Sequence, residues 1–265
     1  MATVITETLG ALALIRLNRP DVLNAIDYDM LAAIGDACAA AVADPAIHAI
    51  GITGEGRGFC AGLDMALLAA HADEGRLHEL GSAPPPPLFG FLRQVPKPVI
   101  ALVNGPAAGG GFILTMMADL RFASTAAVFT TSFTRRGLVA EHQASWLLPR
   151  IVGLGRATDL MISGRKMEAE EAFRIGYADR LVAPEALIDT ARAYADELAA
   201  HVAPRAVAVV KAQINRDLSL DEDAAWAQSA EQISAALGHP DAAEGALSFV
   251  ERRKPRFTPY TGEPA

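Results

Sequence analysis

Two glycine-rich turns are the parts of this sequence best suited to hold an oxygen anion. Residues 54–64 read Gly-Glu-Gly-Arg-Gly-Phe-Cys-Ala-Gly-Leu-Asp, and residues 104–111 read Asn-Gly-Pro-Ala-Ala-Gly-Gly-Gly. Glycine permits positive φ and close backbone approach, so such turns can point N–H groups at one oxygen atom. The second turn leads into an apolar helical segment, residues 112–118, whose unpaired N–H groups and dipole favour negative charge. Together the turns could form an oxyanion hole, although each alone also fits a purely structural role.

Several other catalytic patterns are missing from the sequence. The turns have neither the G-x-G-x-x-G spacing of a dinucleotide fold nor the G-x-x-x-x-G-K-[ST] of a P-loop. No G-x-S-x-G or H-E-x-x-H occurs, and the histidines show no metal-ligand spacing, so no metal site is predicted. Cys38 and Cys60 form no CxxC and no disulfide framework. Both are predicted to be small buried hydrophobic residues.

The elements that position these turns are short strands alternating with helices. Four apolar runs predict strands at residues 4–8, 11–17, 48–53 and 98–103. Gly10 favours a hairpin between the first two runs, and Asp27 is the predicted N-cap of a helix that ends near residue 42. Strands that alternate with helices indicate an α/β layout with crossover connections.

From Pro184 onward the pattern predicts helices only. Four segments bracketed by Pro, Gly or a capping Asp are predicted as helices: residues 186–200, 204–216, 220–238 and 240–251. We therefore divide the chain into a core, residues 1–185, and a C-terminal helical region, residues 186–265. Within residues 64–96, four consecutive prolines favour extended polyproline, and we predict a mobile flap there; a surface turn and an SH3-type ligand are both open interpretations of the prolines.

Composition restricts the classes of partner. The 265 residues include 23 Lys+Arg and 31 Asp+Glu, a formal charge of −8, with 20% charged and 51% hydrophobic residues. These values are typical of a globular protein, and the acidic balance argues against nucleic-acid binding. The N-terminus has no basic region followed by an apolar stretch, and no run approaches the ~18 apolar residues of a membrane span. The sequence predicts a cytoplasmic protein without nucleic-acid or membrane partners.

A series of motifs then narrows the choice of family. In chain order they are Arg19-Pro-Asp-Val-Leu-Asn-Ala25, Arg57-Gly-Phe-Cys-Ala-Gly-Leu-Asp64, Lys97-Pro-Val-Ile-Ala-Leu-Val-Asn-Gly105 with Gly109-Gly-Gly111, Asp119-Leu-Arg-Phe-Ala123, Gly164, residues 169–176, and Phe249-Val-Glu-Arg-Arg-Lys-Pro-Arg-Phe257. Over about residues 3–257 the chain resembles the crotonase (enoyl-CoA hydratase/isomerase) superfamily. The resemblance implies a ββα spiral core, C-terminal helices that mediate assembly into a homotrimer or hexamer, and an acyl-CoA substrate. Coenzyme A then arrives as part of the substrate, and no permanently bound cofactor is implied.

The same resemblance assigns residues to the site. The two oxyanion donors fall on the backbone N–H groups of Leu63 and Gly110, which would stabilise a thioester enolate; one such donor is worth ~3–4 kcal/mol in other enzymes. The implied contacts to coenzyme A or the acyl group are Val22, Leu23, Ala25, Arg57, Ala61, Asp64, Ile113, Phe133, Lys254 and Phe257. Arg57 would lie near the CoA phosphates, but Arg57 and Lys254 equally fit solvated surface charges.

The chain departs from the hydratase pattern at two positions. Hydratases of this superfamily carry one glutamate just after the glycine triplet and another near a later helix-entry loop, where this chain has Ile113 and Phe133. Glu141 instead stands where some isomerases and a dehalogenase carry an acidic residue. Burial beside Val139, Ile113 and Phe133 would disfavour the charged form of Glu141, as a proton shuttle requires. The alternative is an exposed carboxylate near a helix start, or an ion pair with Arg135, Arg136 or Arg150.

His142 could hydrogen-bond the substrate or tune Glu141, or it could be structural. With one carboxylate at the site, the sequence predicts double-bond isomerisation of an enoyl-CoA with Glu141 as proton shuttle. Three other functions stay open: a weak enoyl-CoA hydratase, a CoA-thioester hydrolase or dehalogenase, and a non-catalytic CoA-binding protein. For assembly, Leu187 and Ile188 are predicted to lie partly between subunits.

Overall fold

The chain begins with an antiparallel hairpin. In the computed structural model, which describes residues 2–64, 69 and 88–262, β1 (Val4–Leu9) pairs with β2 (Leu12–Leu17). Gly10 occupies the turn with φ of +62°, a conformation that glycine adopts without strain. The hairpin predicted from the two apolar runs is confirmed.

Seven further strands build two sheets. They are β3 (Ala49–Gly54), β4 (Val99–Val103), β5 (Pro106–Ala108), β6 (Leu120–Ser124), β7 (Val128–Thr130), β8 (Met167–Glu168) and β9 (Arg180–Val182). The larger sheet has the order β1-β2-β3-β4-β6-β9, and its pairs after the hairpin are parallel. Every residue of β3 and β4 is buried, as expected for central parallel strands covered on both faces. The smaller sheet has the order β5-β7-β8.

The helices cover the larger sheet and then extend beyond it. Within the described residues they are α1 (Tyr28–Ala43), α2 (Gly110–Met117), α3 (Ala144–Val152), α4 (Leu154–Ser163), α5 (Ala169–Arg174), α6 (Leu187–His201), α7 (Pro204–Asp217), α8 (Glu222–Leu237) and α9 (Pro240–Val250). Asp27 caps α1 as predicted, because its carboxylate accepts from the Met30 N–H at 2.8 Å. The four predicted C-terminal helices are confirmed, each within two residues of its predicted bounds. No helix in this part of the chain is both long and apolar enough to span a membrane.

Helix α6 packs on the larger sheet of its own chain. Leu187, Ala191 and Ala195 are buried in a cluster that includes Leu12 and Leu102 of the strands. Leu187 is 2% exposed, so its predicted role between subunits is wrong: its own chain already covers it. The partly buried Ile188 packs against the same cluster.

The later helices carry the exposed apolar side chains. Trp226 of α8 is 77% exposed, and Phe249 and Val250 of α9 are 86% and 77% exposed. Large exposed apolar groups are typical of contact surfaces when they form a continuous patch. The division of the chain at residues 185 and 186 stays a prediction. The four consecutive prolines and most of the predicted flap lie outside the described residues.

Candidate active site

The two glycine-rich turns contact each other through their backbones. Cys60 of the first turn forms a parallel bridge with Ala107 of β5, and the Ala108 N–H donates to the Cys60 carbonyl at 3.0 Å. A β-carbon on Gly111 would lie 2.1 Å from that carbonyl oxygen. No other residue type fits at this position, so glycine here lets the start of α2 meet the first turn.

Gly62, in the first turn, permits the same close approach between the first turn and the start of α2. Its φ is +102°, and a β-carbon there would lie 2.8 Å from the Ala108 carbonyl oxygen and 3.3 Å from the Gly110 nitrogen. The residue before Leu63 therefore lies directly against the residue that begins α2. The predicted pair of turns is thus assembled into one site.

The two predicted donors have free backbone N–H groups. Within the described ranges, neither the Leu63 N–H nor the Gly110 N–H donates a hydrogen bond. Gly110 is the first residue of α2, where no intrahelical acceptor exists. Around Leu63, the Ile26 N–H donates to the Gly62 carbonyl and the Asp64 N–H donates to the Ile26 carbonyl. Leu63 itself therefore points its N–H to the opposite side of the strand, away from Ile26.

Two buried or half-buried asparagines hold the first turn in shape. Asn24 has a left-handed backbone (φ 57°), and its amide donates to the Gly58 carbonyl at 2.8 Å. Asn104 accepts from the Gly54 N–H at 3.1 Å and donates to the Gly56 carbonyl at 3.0 Å. Both asparagines belong to the motifs that carry the family resemblance, but sequence reasoning gave neither a role.

Arg19 is a further supporting residue that sequence reasoning missed. Its guanidinium donates to Asp64 at 2.8 Å and to the Ala25 carbonyl at 2.7 Å, and it lies 3.1 Å from the Asp27 carboxylate. The Asp64 side chain is 17% exposed. Its charge is therefore already paired within the chain, and this pair supports the end of the first turn; the predicted contact of Asp64 with coenzyme A stays a prediction.

Several of the predicted CoA contacts lie beside the first turn. Val22 is 45% exposed and Ala25 is 7% exposed, while Leu23 has a left-handed backbone and accepts from the Ala61 N–H at 2.9 Å. A β-carbon on Gly58 would lie 3.0 Å from a methyl group of Leu23. The exposed Arg57, which precedes Gly58, therefore lies at the same edge of the first turn as Val22 and Leu23.

The structure does not bring Lys254 and Phe257 to this edge. Lys254 is exposed beyond the end of α9, and a β-carbon on Gly245 of α9 would lie 3.9 Å from the Phe257 ring. Within one chain, these two residues belong to the C-terminal helical region. Their predicted contact with coenzyme A would have to come from a neighbouring subunit.

The positions of the two hydratase glutamates are apolar and closed. Ile113 of α2 is 0% exposed and Phe133 is 2% exposed, and both belong to the main hydrophobic core. Neither side chain can hold or deprotonate a water molecule.

Glu141 is less buried than its apolar neighbours in the sequence suggested. Its side chain is 42% exposed, and Val139 is 78% exposed. The expectation of an apolar enclosure formed by Val139 is therefore wrong for the chain alone. The Glu141 carboxylate lies 3.8 Å from Nε2 of His142.

Two of the arginines considered as ion-pair partners of Glu141 are engaged elsewhere. Arg135 donates to the Ser163 carbonyl at 3.0 Å, and the Arg150 guanidinium lies 4.0 Å from the ring centre of Trp146. A potentially cationic group close to Glu141 is the imidazole of His142.

His142 connects Glu141 to the second turn. Its Nδ1 accepts from the Leu88 N–H at 3.0 Å, and the Leu88 Cδ2 lies 3.3 Å from where a β-carbon on Gly110 would stand. Burial lowers the pKa of His142, while the Glu141 charge acts in the opposite direction. A neutral imidazole that accepts at Nδ1 carries its proton on Nε2, the nitrogen nearer to Glu141.

Cys60 has no nucleophilic role at this site. It is 0% exposed, and burial raises its pKa to about 12. The thiolate is the reactive form of cysteine, so Cys60 packs inertly between the turns.

A separate cavity of about 600 Å³ opens at the opposite end of α2, between α2, α3 and α7. Met116, Met117 and Ile214 are among its apolar lining residues, and Lys211 there forms an ion pair with Asp119. None of the predicted site residues lines this cavity. The facing turns, with N–H groups that donate no hydrogen bond within the described residues, lie apart from this cavity.

The fold and the facing turns define a crotonase-type protein, a class whose members act on CoA thioesters. A family model described as enoyl-CoA hydratase/isomerase matches residues 7–259. The chain belongs to this family.

Some relatives are named hydratases and another is named an isomerase. The chain is 36% identical to a crotonyl-CoA hydratase of Syntrophomonas wolfei, over 96% of this chain and 97% of that protein. It is 31% identical to a 1,2-epoxyphenylacetyl-CoA isomerase of Escherichia coli, over 97% and 99% of the two chains. Among solved structures, an enoyl-CoA hydratase from Polaromonas sp. JS666 superposes with a TM-score of 0.89 at 30% identity, covering 96% of this chain and 99% of that one. The family is settled by these matches, and the reaction within it is left open.

Proposed function

We propose that this chain isomerises the double bond of an enoyl-CoA thioester, with Glu141 as the proton shuttle. The observation that carries the proposal is the distribution of carboxylates around the turns. Ile113 and Phe133 occupy the positions of the two hydratase glutamates, whereas Glu141 is linked through His142 and Leu88 to the residue that begins α2.

The proposed reaction moves one proton. The thioester oxygen accepts from the N–H groups of Leu63 and Gly110. The Glu141 carboxylate removes a proton from the alpha carbon of a 3-enoyl thioester, and the electron pair moves into an enolate whose charge the two donors stabilise. The same carboxyl group then returns the proton to the gamma carbon, which gives the 2-enoyl thioester. General acid–base catalysis of this kind contributes typically ~100 to ~10,000-fold.

Coenzyme A enters as part of the substrate, with no further cofactor. Val22, Leu23 and Ala25 form the proposed contact edge, and the exposed Arg57 supplies a cation beside it. A guanidinium at this edge suits the phosphate groups of coenzyme A.

Hydration is a second candidate because several relatives are named for it. One is the crotonyl-CoA hydratase described above, and another is a short-chain-enoyl-CoA hydratase of Clostridium acetobutylicum that is 34% identical over 95% of each chain. Hydration requires a group that holds and deprotonates water while a second group protonates the alpha carbon. One half-exposed carboxylate serves that task poorly, so we expect hydration to be the weaker activity.

We further propose that the chain assembles into a homotrimer or hexamer through residues 186–265. The exposed side chains of Trp226, Phe249 and Val250 support this, since burial of such groups stabilises association. Sedimentation should give a mass of three or six chains. A stable monomer at micromolar concentration would contradict the proposal.

The reaction is tested by incubating the purified protein with 3-enoyl-, 2-enoyl- and saturated acyl-CoAs. Isomerisation produces a conjugated thioester from the 3-enoyl substrate, and hydration removes the conjugated absorbance of the 2-enoyl substrate. Release of free thiol would instead indicate the hydrolase alternative. Tight binding of coenzyme A with no turnover of any thioester would indicate a non-catalytic CoA-binding protein.

A further inference from the structure

We propose that His142 is a positioning residue that holds Leu88 against the first residue of α2 and so fixes the apolar wall beside the Gly110 N–H. This inference rests on the proposed function, because the wall matters to catalysis only if Gly110 is an oxyanion donor. In this proposal His142 acts through Leu88 and does not contact the substrate.

The contacts that carry the inference join three segments far apart in the sequence. The Leu88 N–H donates to Nδ1 of His142 at 3.0 Å across 54 positions of the chain. A β-carbon on Gly110 would lie 3.3 Å from Cδ2 of Leu88 and 3.0 Å from Cδ1 of Ile26. Among the residues that the structure describes, Leu88 and Ile26 are therefore the apolar side chains nearest to Gly110, and the imidazole holds Leu88 in place.

The backbone at His142 has an uncommon conformation that sets the direction of the imidazole ring. His142 and Gln143 both have left-handed backbones, with φ of 49° and 64°, immediately before α3. Non-glycine residues adopt this conformation at a cost of about 1–3 kcal/mol each, and surrounding contacts must hold them there. The Gln143 side chain accepts a long hydrogen bond from Arg93 at 3.4 Å. His142, which accepts from Leu88, is thus one of two successive residues with this backbone conformation.

The protonation state of His142 decides whether the contact exists. Nδ1 can accept from Leu88 only while it is unprotonated. The charged groups that face the ring within the described residues include Glu141, at 3.8 Å from Nε2, and Arg93, which donates to the neighbouring Gln143. Burial lowers the pKa of His142, so the neutral form prevails at neutral pH. Acidification through that lowered pKa should release Leu88.

Two substitutions separate positioning from packing. In His142→Asn, the amide oxygen can replace Nδ1 as acceptor, does not titrate, and belongs to a residue that tolerates the left-handed backbone. In His142→Phe, a ring of similar size remains but the acceptor is lost. We expect kcat for 3-enoyl-CoA to stay within about threefold in the Asn variant and to fall about tenfold in the Phe variant, as for loss of one hydrogen bond. The affinity for free coenzyme A should be unchanged in both.

The pH dependence of kcat provides a second test, because a residue with only a packing role would not change it. Because Glu141 must also be deprotonated to act as the base, the acid limb of kcat should reflect both Glu141 and His142 in the wild type and only Glu141 in His142→Asn. Equal kcat values for the Asn and Phe variants, or an acid limb that persists unchanged in the Asn variant, would overturn the inference.

Hydrogen exchange of the Leu88 amide tests the same contact without any reaction. Protection of this amide should be retained in His142→Asn, lost in His142→Phe, and reduced in the wild type on acidification below the pKa of His142. An amide whose protection does not depend on residue 142 or on this titration contradicts the inference, and the wild-type measurement decides even if the Phe variant fails to fold. Inactivity of the wild type towards every thioester would instead overturn the proposed function, while the exchange data still report the contact.

Discussion

The guanidinium of Arg19 lies 2.8 Å from the carboxylate of Asp64, across 45 positions of the chain. Through this contact the segment before α1 is fastened to the end of the first glycine-rich turn. Leu63, the proposed oxyanion donor, immediately precedes Asp64, so the pair holds the proposed donor N–H in position before any substrate arrives. Donors that are already oriented lose little free energy to reorganisation during the reaction.

Removal of Arg19 should therefore lower activity more than an ordinary surface substitution. In Arg19→Met, the partly buried Asp64 carboxylate loses its hydrogen bond from the guanidinium, and we expect about 1–3 kcal/mol lower stability and at least tenfold lower kcat. Arg16→Met is the matched control, because Arg16 pairs with Glu7 at the exposed hairpin and such pairs are worth about 0–1 kcal/mol. Chemical denaturation and steady-state kinetics measure both effects. Equal kcat values in the two variants would show that Arg19 does not support the site.

Gly110→Pro should abolish one oxyanion donor while leaving α2 in place. Proline is well tolerated at the first position of a helix, and its ring would meet the flexible side-chain ends of Ile26 and Leu88. Turnover of any accepted thioester should fall by ~100-fold or more. Gly110→Ala, which adds a β-carbon but keeps the N–H, should lose much less. A Pro variant that is folded and as active as the Ala variant would show that Gly110 is not a donor.

Gly111→Ala should destabilise the whole site. Its β-carbon would stand 2.1 Å from the Cys60 carbonyl oxygen, a backbone atom that cannot move aside alone. We expect a loss of several kcal/mol, as for other severe steric changes in a core, measured as a large drop in Tm. Gly35→Ala in α1 is the control, since its β-carbon would meet nothing within 4 Å. That substitution should raise stability by about 0.5–1 kcal/mol.

Lys97 should make stability rise with pH in the alkaline range. The Lys97 ammonium donates to the carbonyls of Ala41 and Asp44 at the end of α1, and burial lowers its pKa from 10.5 to about 8. Between these values the unfolded chain binds more protons than the folded chain, so the free energy of unfolding gains a contribution that grows with pH. The difference in this free energy between wild type and Lys97→Met should therefore increase from about pH 8 to pH 10. A difference that stays constant over this range would contradict the expected titration.

Local patterns predicted most of the fold because they report local physics. The hairpin at Gly10 and the cap at Asp27 depend on residues close in sequence, and both were correctly predicted. The parallel strands were recognisable because continuous apolar runs of that length suit buried strands. The family resemblance added the assignment of Leu63 and Gly110, and the structure leaves both N–H groups free within the described residues.

The supporting contacts of the site could not be predicted in this way. Arg19 and Asp64 are 45 positions apart, and His142 and Leu88 are 54 positions apart. No periodicity links such pairs, since tertiary packing alone brings them together. For Glu141, apolar neighbours in the sequence suggested burial, but the direction of the turn leaves its side chain 42% exposed.

The effect of Glu141→Gln on isomerisation tests the central claim most directly. Glutamine keeps the size of the side chain but cannot take or return a proton, and the half-exposed position predicts nearly unchanged thermal stability. With Glu185→Gln as an exposed control, we expect conversion of 3-enoyl-CoA to 2-enoyl-CoA to fall by ~100-fold or more only in the Glu141 variant. Full isomerase activity in Glu141→Gln, or robust hydration of 2-enoyl-CoA by the wild type with no isomerisation, would contradict the account.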